Sequence, residues 1–226
     1  MAVYFWINSG GGSPAGNWSD NNNWSFTDGG SAAGSYPDGT DDTAIIGYAA
    51  TGSILEMGGF SGTIGLFLVL SSSYTLDLTN SESYNSLSFN LGLFYGSGSG
   101  PINSALTGPC IFRGSGASNA YYVGGDAYFI GSGCTNNGQV TGSAYFTNSG
   151  GAINNTGGSV GGLAVFNGGS WESKGLLTGP AVFYGQGSGT SRLHSGSVTG
   201  ALIPLSPFTN TGTAGKYPLD ILGTGI

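Results

Sequence analysis

An all-β parallel β-solenoid, with coils of about 17–21 residues and an aromatic cap at its N-terminal end, is the fold this sequence predicts. Three observations predict it. A short template recurs through residues 106–203, glycine supplies 46 of the 226 residues, and charged residues make up only 7%. Ordinary soluble domains carry about 7% glycine and about 25% charge. Glycine here follows no strict third-residue rule, which excludes a collagen-like chain. A hydrophobic fraction of 38% is too high for disorder at this low charge, so the glycines belong to tight turns.

The repeat reads LTGPCIFRGSG from Leu106, VGGDAYFIGSG from Val123, VTGSAYFTNSG from Val140, VGGLAVFNGGS from Val160, LTGPAVFYGQG from Leu177 and a degenerate VTGALIPL from Val198. Its skeleton is Val or Leu, Thr or Gly, Gly, a variable residue, Ala or Cys, a variable residue, Phe. Alternate side chains of a strand point to opposite faces, so the first, fifth and seventh positions share one. A unit this short buries that face only by stacking on its neighbours. The predicted interior ladders are Leu106, Val123, Val140, Val160, Leu177, then Phe112, Phe129, Phe146, Phe166, Phe183, and a small-residue ladder of Cys110, Ala127, Ala144, Ala164 and Ala181. Two or three short strands per coil fit the spacing. The glycine after each Phe strand supplies backbone angles that other residues reach at a cost. Extra residues in the longer coils fall at corners, at Asn154-Asn155-Thr156-Gly157 and Arg192-Leu193-His194.

By the same parity Ile111, Tyr128, Tyr145, Val165 and Val182 point outward. An external apolar column is unusual for a monomer. It is either covered by the chain's own loops or forms a lateral interface, with three copies about one axis as the expected closed assembly.

The organisation predicted is a cap or attachment segment at 1–43, irregular coils at 44–105, regular repeats at 106–203 and a C-terminal cap at 204–226. Strands are expected at Thr43 to Ile46, Gly65 to Leu70, Thr75 to Leu78 and Leu87 to Phe89. Trp6, Trp18 and Trp24 fit a cap that shields the first strand edge. The opening Met1-Ala2-Val3-Tyr4-Phe5-Trp6-Ile7 lacks the basic start of a secretory leader and reads as a first strand. Its Gly-, Ser-, Thr- and Asn-rich composition nonetheless looks extracellular, a combination that suits a particle assembled in the cytoplasm and released by lysis.

Arg113, Lys174, Arg192 and Lys216 are scattered through a chain of net charge −7, which argues against nucleic-acid and anionic-membrane partners. No apolar run approaches the roughly 20 residues of a membrane helix. Cys110 reads as a small buried filler, and Cys134 falls elsewhere in its repeat, so no disulfide is expected.

A W…GNW…NWS…P-D-x-x-D opening followed by G-x-V-T-G-x-A-x-F coils resembles β-helical structural proteins of bacteriophages and bacterial surfaces. That resemblance implies a virion or cell-surface component and carries over no catalytic residue. Enzymatic chemistry finds little footing. Glycoside hydrolysis needs two carboxylates about 5–9 Å apart, whereas the repeats offer only Asp126 and Glu172, almost three coils apart. His194 is the sole histidine. Asp20, Asp28, Asp38, Asp41 and Asp42 could hold calcium but equally suit turns, and no metal or other cofactor is expected. The Thr107, Gly124, Thr141, Gly161, Thr178, Thr199 column is too interrupted for an ice-binding face. The expectation is a non-enzymatic bacteriophage virion protein, a capsid decoration or fibre subunit whose partners are itself and capsid or tail proteins. The alternative is a cell-surface adhesin or carbohydrate-binding module, with Tyr128, Tyr145, Tyr184 and Trp171 stacking on a host glycan.

Overall fold

The computed structural model describes residues 1–7, 15–50, 54–56, 60, 62–70, 86–95, 105–114, 117–119, 121–148, 152–154, 156–168, 171–184, 192–193, 196–205, 209–210 and 213–214. Apart from one 3₁₀ turn, Asn21–Asn23, the regular elements among these are strands. Each regular coil has three sides. The coil at 122–136 shows them as Tyr122–Val123, Ala127–Ile130 and Thr135–Asn136. Each strand pairs in parallel with its equivalents in the coils before and after, so the chain is a parallel β-solenoid.

The three ladders stack as the spacing requires. Val123 pairs with Leu106 and Val140, and Val160 with Val140 and Leu177. Phe112, Phe129, Phe146, Phe166 and Phe183 pair in sequence, as do Cys110, Ala127, Ala144, Ala164 and Ala181. All of these are wholly buried. Successive rings from Phe112 to Phe183 lie 4.6–4.9 Å apart and within 19° of parallel. That separation matches the ~4.8 Å between neighbouring strands, so backbone and ring stacks reinforce one another.

The sequence predicts Val123, Ala127 and Phe129 along one strand; the chain instead bends between them. Val and Phe therefore fill the interior from two different sides. The cause is the glycine at the third position of the repeat. A Cβ on Gly125 would lie 2.8 Å from the Pro109 nitrogen, and one on Gly162 2.8 Å from the Gly142 carbonyl carbon. Gly142, Gly179 and Gly200 abut the preceding coil in the same way. None of these has a left-handed φ, so the corner selects glycine for close approach. Gly114 (φ 136°) and Gly131 (φ 135°), which follow the Phe strands, serve the conformational role the sequence predicts. Gly162→Ala should cost about 1–3 kcal/mol by wedging two coils apart. It should appear as a lower denaturation midpoint at unchanged slope.

The third side carries a ladder of which the sequence places one member, Asn154, at a corner. Asn119, Asn136, Asn154 and Ser173 occupy equivalent positions and are wholly buried. Asn119 Nδ2 donates to Asn136 Oδ1 (2.8 Å), Asn136 Nδ2 to Asn154 Oδ1 (2.9 Å), and Asn154 Nδ2 to Ser173 Oγ (3.3 Å). Asn154 is thus a strand residue of Ala152–Asn154, and the extra length of its coil lies on either side of it. Arg192–Leu193 likewise form a strand, paired with Glu172–Ser173, while His194 lies outside the described residues.

Upstream, the Phe side continues without a break. Val3–Trp6 pairs in parallel with Thr43–Ile46, which pairs with Thr63–Val69, then Ser86–Tyr95, then Cys110–Arg113. Strands therefore stand at three of the places the sequence marks, and Thr75 to Leu78 lies outside the described residues. At the other end Thr209–Asn210 and Thr213–Ala214 extend the stack beyond residue 203. Residues 215–226 lie outside the described set.

The first rung is closed by Trp24–Ser25, which pairs with Val3–Trp6 in the antiparallel sense, Trp6 opposite Trp24. Trp6, Trp18 and Trp24 are fully buried, with Trp24 edge-on to both of the others. Trp18 Nε1 donates to the Pro37 carbonyl (2.9 Å) and Trp24 Nε1 to the Trp18 carbonyl (2.7 Å). These bonds fasten the Pro37–Asp42 turn and the Trp24 strand to one aromatic cluster.

Candidate functional site

The outer surface of the Phe side is the most distinctive feature the stack presents. Hydrogen-bonded register aligns Phe5, Ile45, Leu68, Leu93, Ile111, Tyr128, Tyr145, Val165, Val182 and Ile203 in one outward column. The column contains the five residues predicted from the repeat and doubles its length. Each member is half-buried except Ile45, which is buried at 8% exposure. Long apolar side chains spaced by one strand shield one another's flanks while their tips remain outward.

Flanking columns decide how this face differs from end to end. Leu66, Leu91 and Pro109 precede the column on one side, followed by Asp126, Ser143 and Leu163. Tyr95, Arg113, Ile130, Thr147 and Asn167 follow it on the other. Arg113 and Asp126 are the charged residues of this face among the described residues, and they stand on opposite flanks one rung apart. The Arg113 guanidinium lies 5.9 Å from the Tyr95 ring centre, within cation–π range. Asp126 Oδ1 accepts the Ser143 N–H of the next coil at 2.8 Å.

Tyr128 and Tyr145 stack with ring centres 4.7 Å apart and planes 10° from parallel. Their ring faces therefore look along the stack, toward each other and toward Ile111 and Val165. Ring edges and hydroxyls look outward. Side-chain positions of Tyr184 and Trp171, the other aromatics considered for ligand stacking, lie outside the described set.

Other polar side chains serve the fold. Asp42 accepts from the Ala2 and Gly39 amides (2.9 and 3.0 Å), Asp28 from the Tyr48 amide (3.1 Å), and Asp20 from the Asn22 amide (2.9 Å). Asp38 and Asp41 are exposed. Among the described residues no three of His, Cys, Asp or Glu gather closely enough to hold a metal ion. Glu172 pairs with Lys174 at 3.0 Å on the Asn side, away from Asp126 on the Phe side. Thr141 Oγ1 donates to the Gly124 carbonyl (2.8 Å), Thr178 Oγ1 to Val160 (3.2 Å) and Thr199 Oγ1 to Thr178 (3.0 Å). Where the corner carries a threonine, its hydroxyl thus ties the coil to the one before it rather than standing as an unengaged donor.

Both cysteines are free and buried. Cys110 fills the small-residue ladder and donates to the Gly108 carbonyl at 3.5 Å; Cys134 donates to Gly114 at 3.3 Å. Burial pushes both thiols up, only partly offset at Cys134 by hydrogen bonds to Ala117, Gly114 and Ile130. Neither should react with an aromatic disulfide reagent at neutral pH until the protein is unfolded, a result read directly by thiol titration.

Compared with known proteins, the chain matches no family model, no curated sequence and no solved structure.

Proposed function

We propose that this chain is a non-enzymatic structural protein of a bacteriophage virion, a capsid decoration or fibre subunit that presents a rigid polar surface. The observation that carries the reading is the use to which its polar groups are put. Asp20, Asp28, Asp42 and Asp126 hold backbone amides, Glu172 holds Lys174, and the corner threonines bind coil to coil. Side chains committed in this way stiffen a rod. Exposed Phe26 (54%) and Tyr48 (72%) beside the Trp cap offer an apolar end for attachment to a capsid or tail. The resemblance noted in the repeat points the same way, at the level of fold analogy.

The adhesin alternative has one observation against it. A sugar ring packs on an open aromatic face, and the mutual stacking of Tyr128 and Tyr145 occupies theirs. The test is to follow the chain by antibody through lysates of cells that express it from its own locus. Co-sedimentation with nucleic-acid-containing particles, and gold label on their surface, supports the virion reading. Recovery solely in the cell-envelope fraction transfers it to the adhesin. A polysaccharide panel checks the third possibility: turnover abolished by Asp126→Ala or Glu172→Ala would overturn the structural role.

A further inference from the structure

We infer that the outward face of the Phe side is an interface for a second copy of this chain, with the two rods side by side and their N-terminal ends together. The inference concerns the rod alone and stands whether it sits on a particle or on a cell.

Three observations carry it. The first is extent. Ten rungs at ~4.8 Å make a strip about 43 Å long, and strands of four to five residues make it about 15 Å wide. Covering it on both copies removes about 1,300 Å², above the roughly 1,000 Å² a specific interface needs. The second is composition: an unbroken apolar column, from Phe5 to Ile203, bordered by only two charges among the described residues. Such a strip is costly to leave in water and cheap to lay against its own kind.

The third observation selects the orientation. Arg113 stands on one flank of the column and Asp126 on the other, one rung higher. Turn a second copy about an axis parallel to the stack, and its flanks exchange sides at constant height. Arg113 of each copy then comes within one rung of Asp126 of the other, and the pair forms twice. Turn it end over end instead, and each flank meets its own kind. Arg113 then lies over the flank that carries Arg113, and Asp126 over the flank that carries Asp126. Charge complementarity therefore favours the parallel arrangement. A three-fold axis along the stack, the arrangement the sequence leads one to expect, also sets unlike flanks together, with the Arg113–Asp126 pair formed once between each two neighbours. Closed symmetry of either order leaves no unpaired copy of the strip.

The test is light scattering with size separation, combined with single-cysteine cross-linking. The native cysteines are buried and stay silent as background. The chain should run as two or three copies. Tyr128→Ser combined with Tyr145→Ser should give a monomer of unchanged circular dichroism, and Arg113→Asp should weaken association about tenfold. Leu93→Cys and Val182→Cys should each cross-link to themselves, because a parallel axis sets every rung beside its own equivalent. A wild-type monomer at all concentrations overturns the interface. Cross-links that form only when Leu93→Cys is mixed with Tyr145→Cys, the rung it meets end over end, overturn the parallel orientation.

Discussion

Asn136→Leu is expected to lower stability by about 2–6 kcal/mol, although leucine keeps the branched outline of the asparagine side chain at this wholly buried position. Leucine fills the site, so no cavity opens, and its bulkier methyl groups add to the cost rather than reduce it. What remains is the loss of three bonds: Asn119 Nδ2 loses its 2.8 Å acceptor, Asn154 Oδ1 its 2.9 Å donor and the Ser159 carbonyl its 3.3 Å donor. Each stranded buried group costs about 1–3 kcal/mol, since no water replaces its partner. The sum is large because one residue stands between two others, and a ladder cannot close over a missing rung. Equilibrium denaturation measures it. Combining Asn119→Leu with Asn136→Leu should cost less than the two single changes added together, because the two share a bond. Strict additivity, or a single-variant cost below about 1 kcal/mol, would show that the asparagines hold nothing together.

Phe146→Ala should cost about 3–5 kcal/mol. The ring is wholly buried, 4.8 Å from Phe129 and 4.6 Å from Phe166, with both neighbours stacked almost parallel to it. Removing it leaves a gap one ring thick in a stack whose spacing is fixed by backbone hydrogen bonds. The neighbours therefore cannot close on one another. Phe146→Leu should recover part of the loss by filling some of the volume while still forfeiting the two stacking contacts. A cost near 1 kcal/mol for the alanine variant, read by thermal or chemical unfolding, would mean that the coils are free to settle.

How much of this was legible in the sequence depends on what each residue type usually does. Val, Ala and Phe at alternating positions announce a buried face, and their recurrence announces stacking. The interior ladders and the outward Ile111, Tyr128, Tyr145, Val165, Val182 column follow from those two facts alone. Asn154 reads as a corner residue, and Asn119 and Asn136 pass unremarked, because asparagine is a common turn residue and its burial is exceptional until it meets copies of itself. A signal was present nonetheless: Asn119 and Asn136 each stand four residues before the Val of the next coil, Val123 and Val140. The bend at the corner glycines was hidden for a different reason. Close approach between coils is a property of the stack, and nothing local to Gly125 or Gly162 distinguishes it from a glycine chosen for its backbone angles. Phe5, Ile45, Leu68 and Leu93 escaped notice as members of the column because their coils are longer and carry no repeat to align them.

The antiparallel Trp24–Ser25 strand has a bearing on polymerisation. A ladder of parallel, near-identical rungs with matched side chains is built like one layer of a cross-β fibril, and an open end would template the next molecule. At the N-terminal end the outermost strand runs opposite to every rung beneath it, and Trp24 sits opposite Trp6. An incoming coil of another molecule would have to add in the wrong direction, without the register on which the Phe and Asn stacks depend. Seeding is thereby blocked at that end, and the rod keeps the length its own sequence encodes.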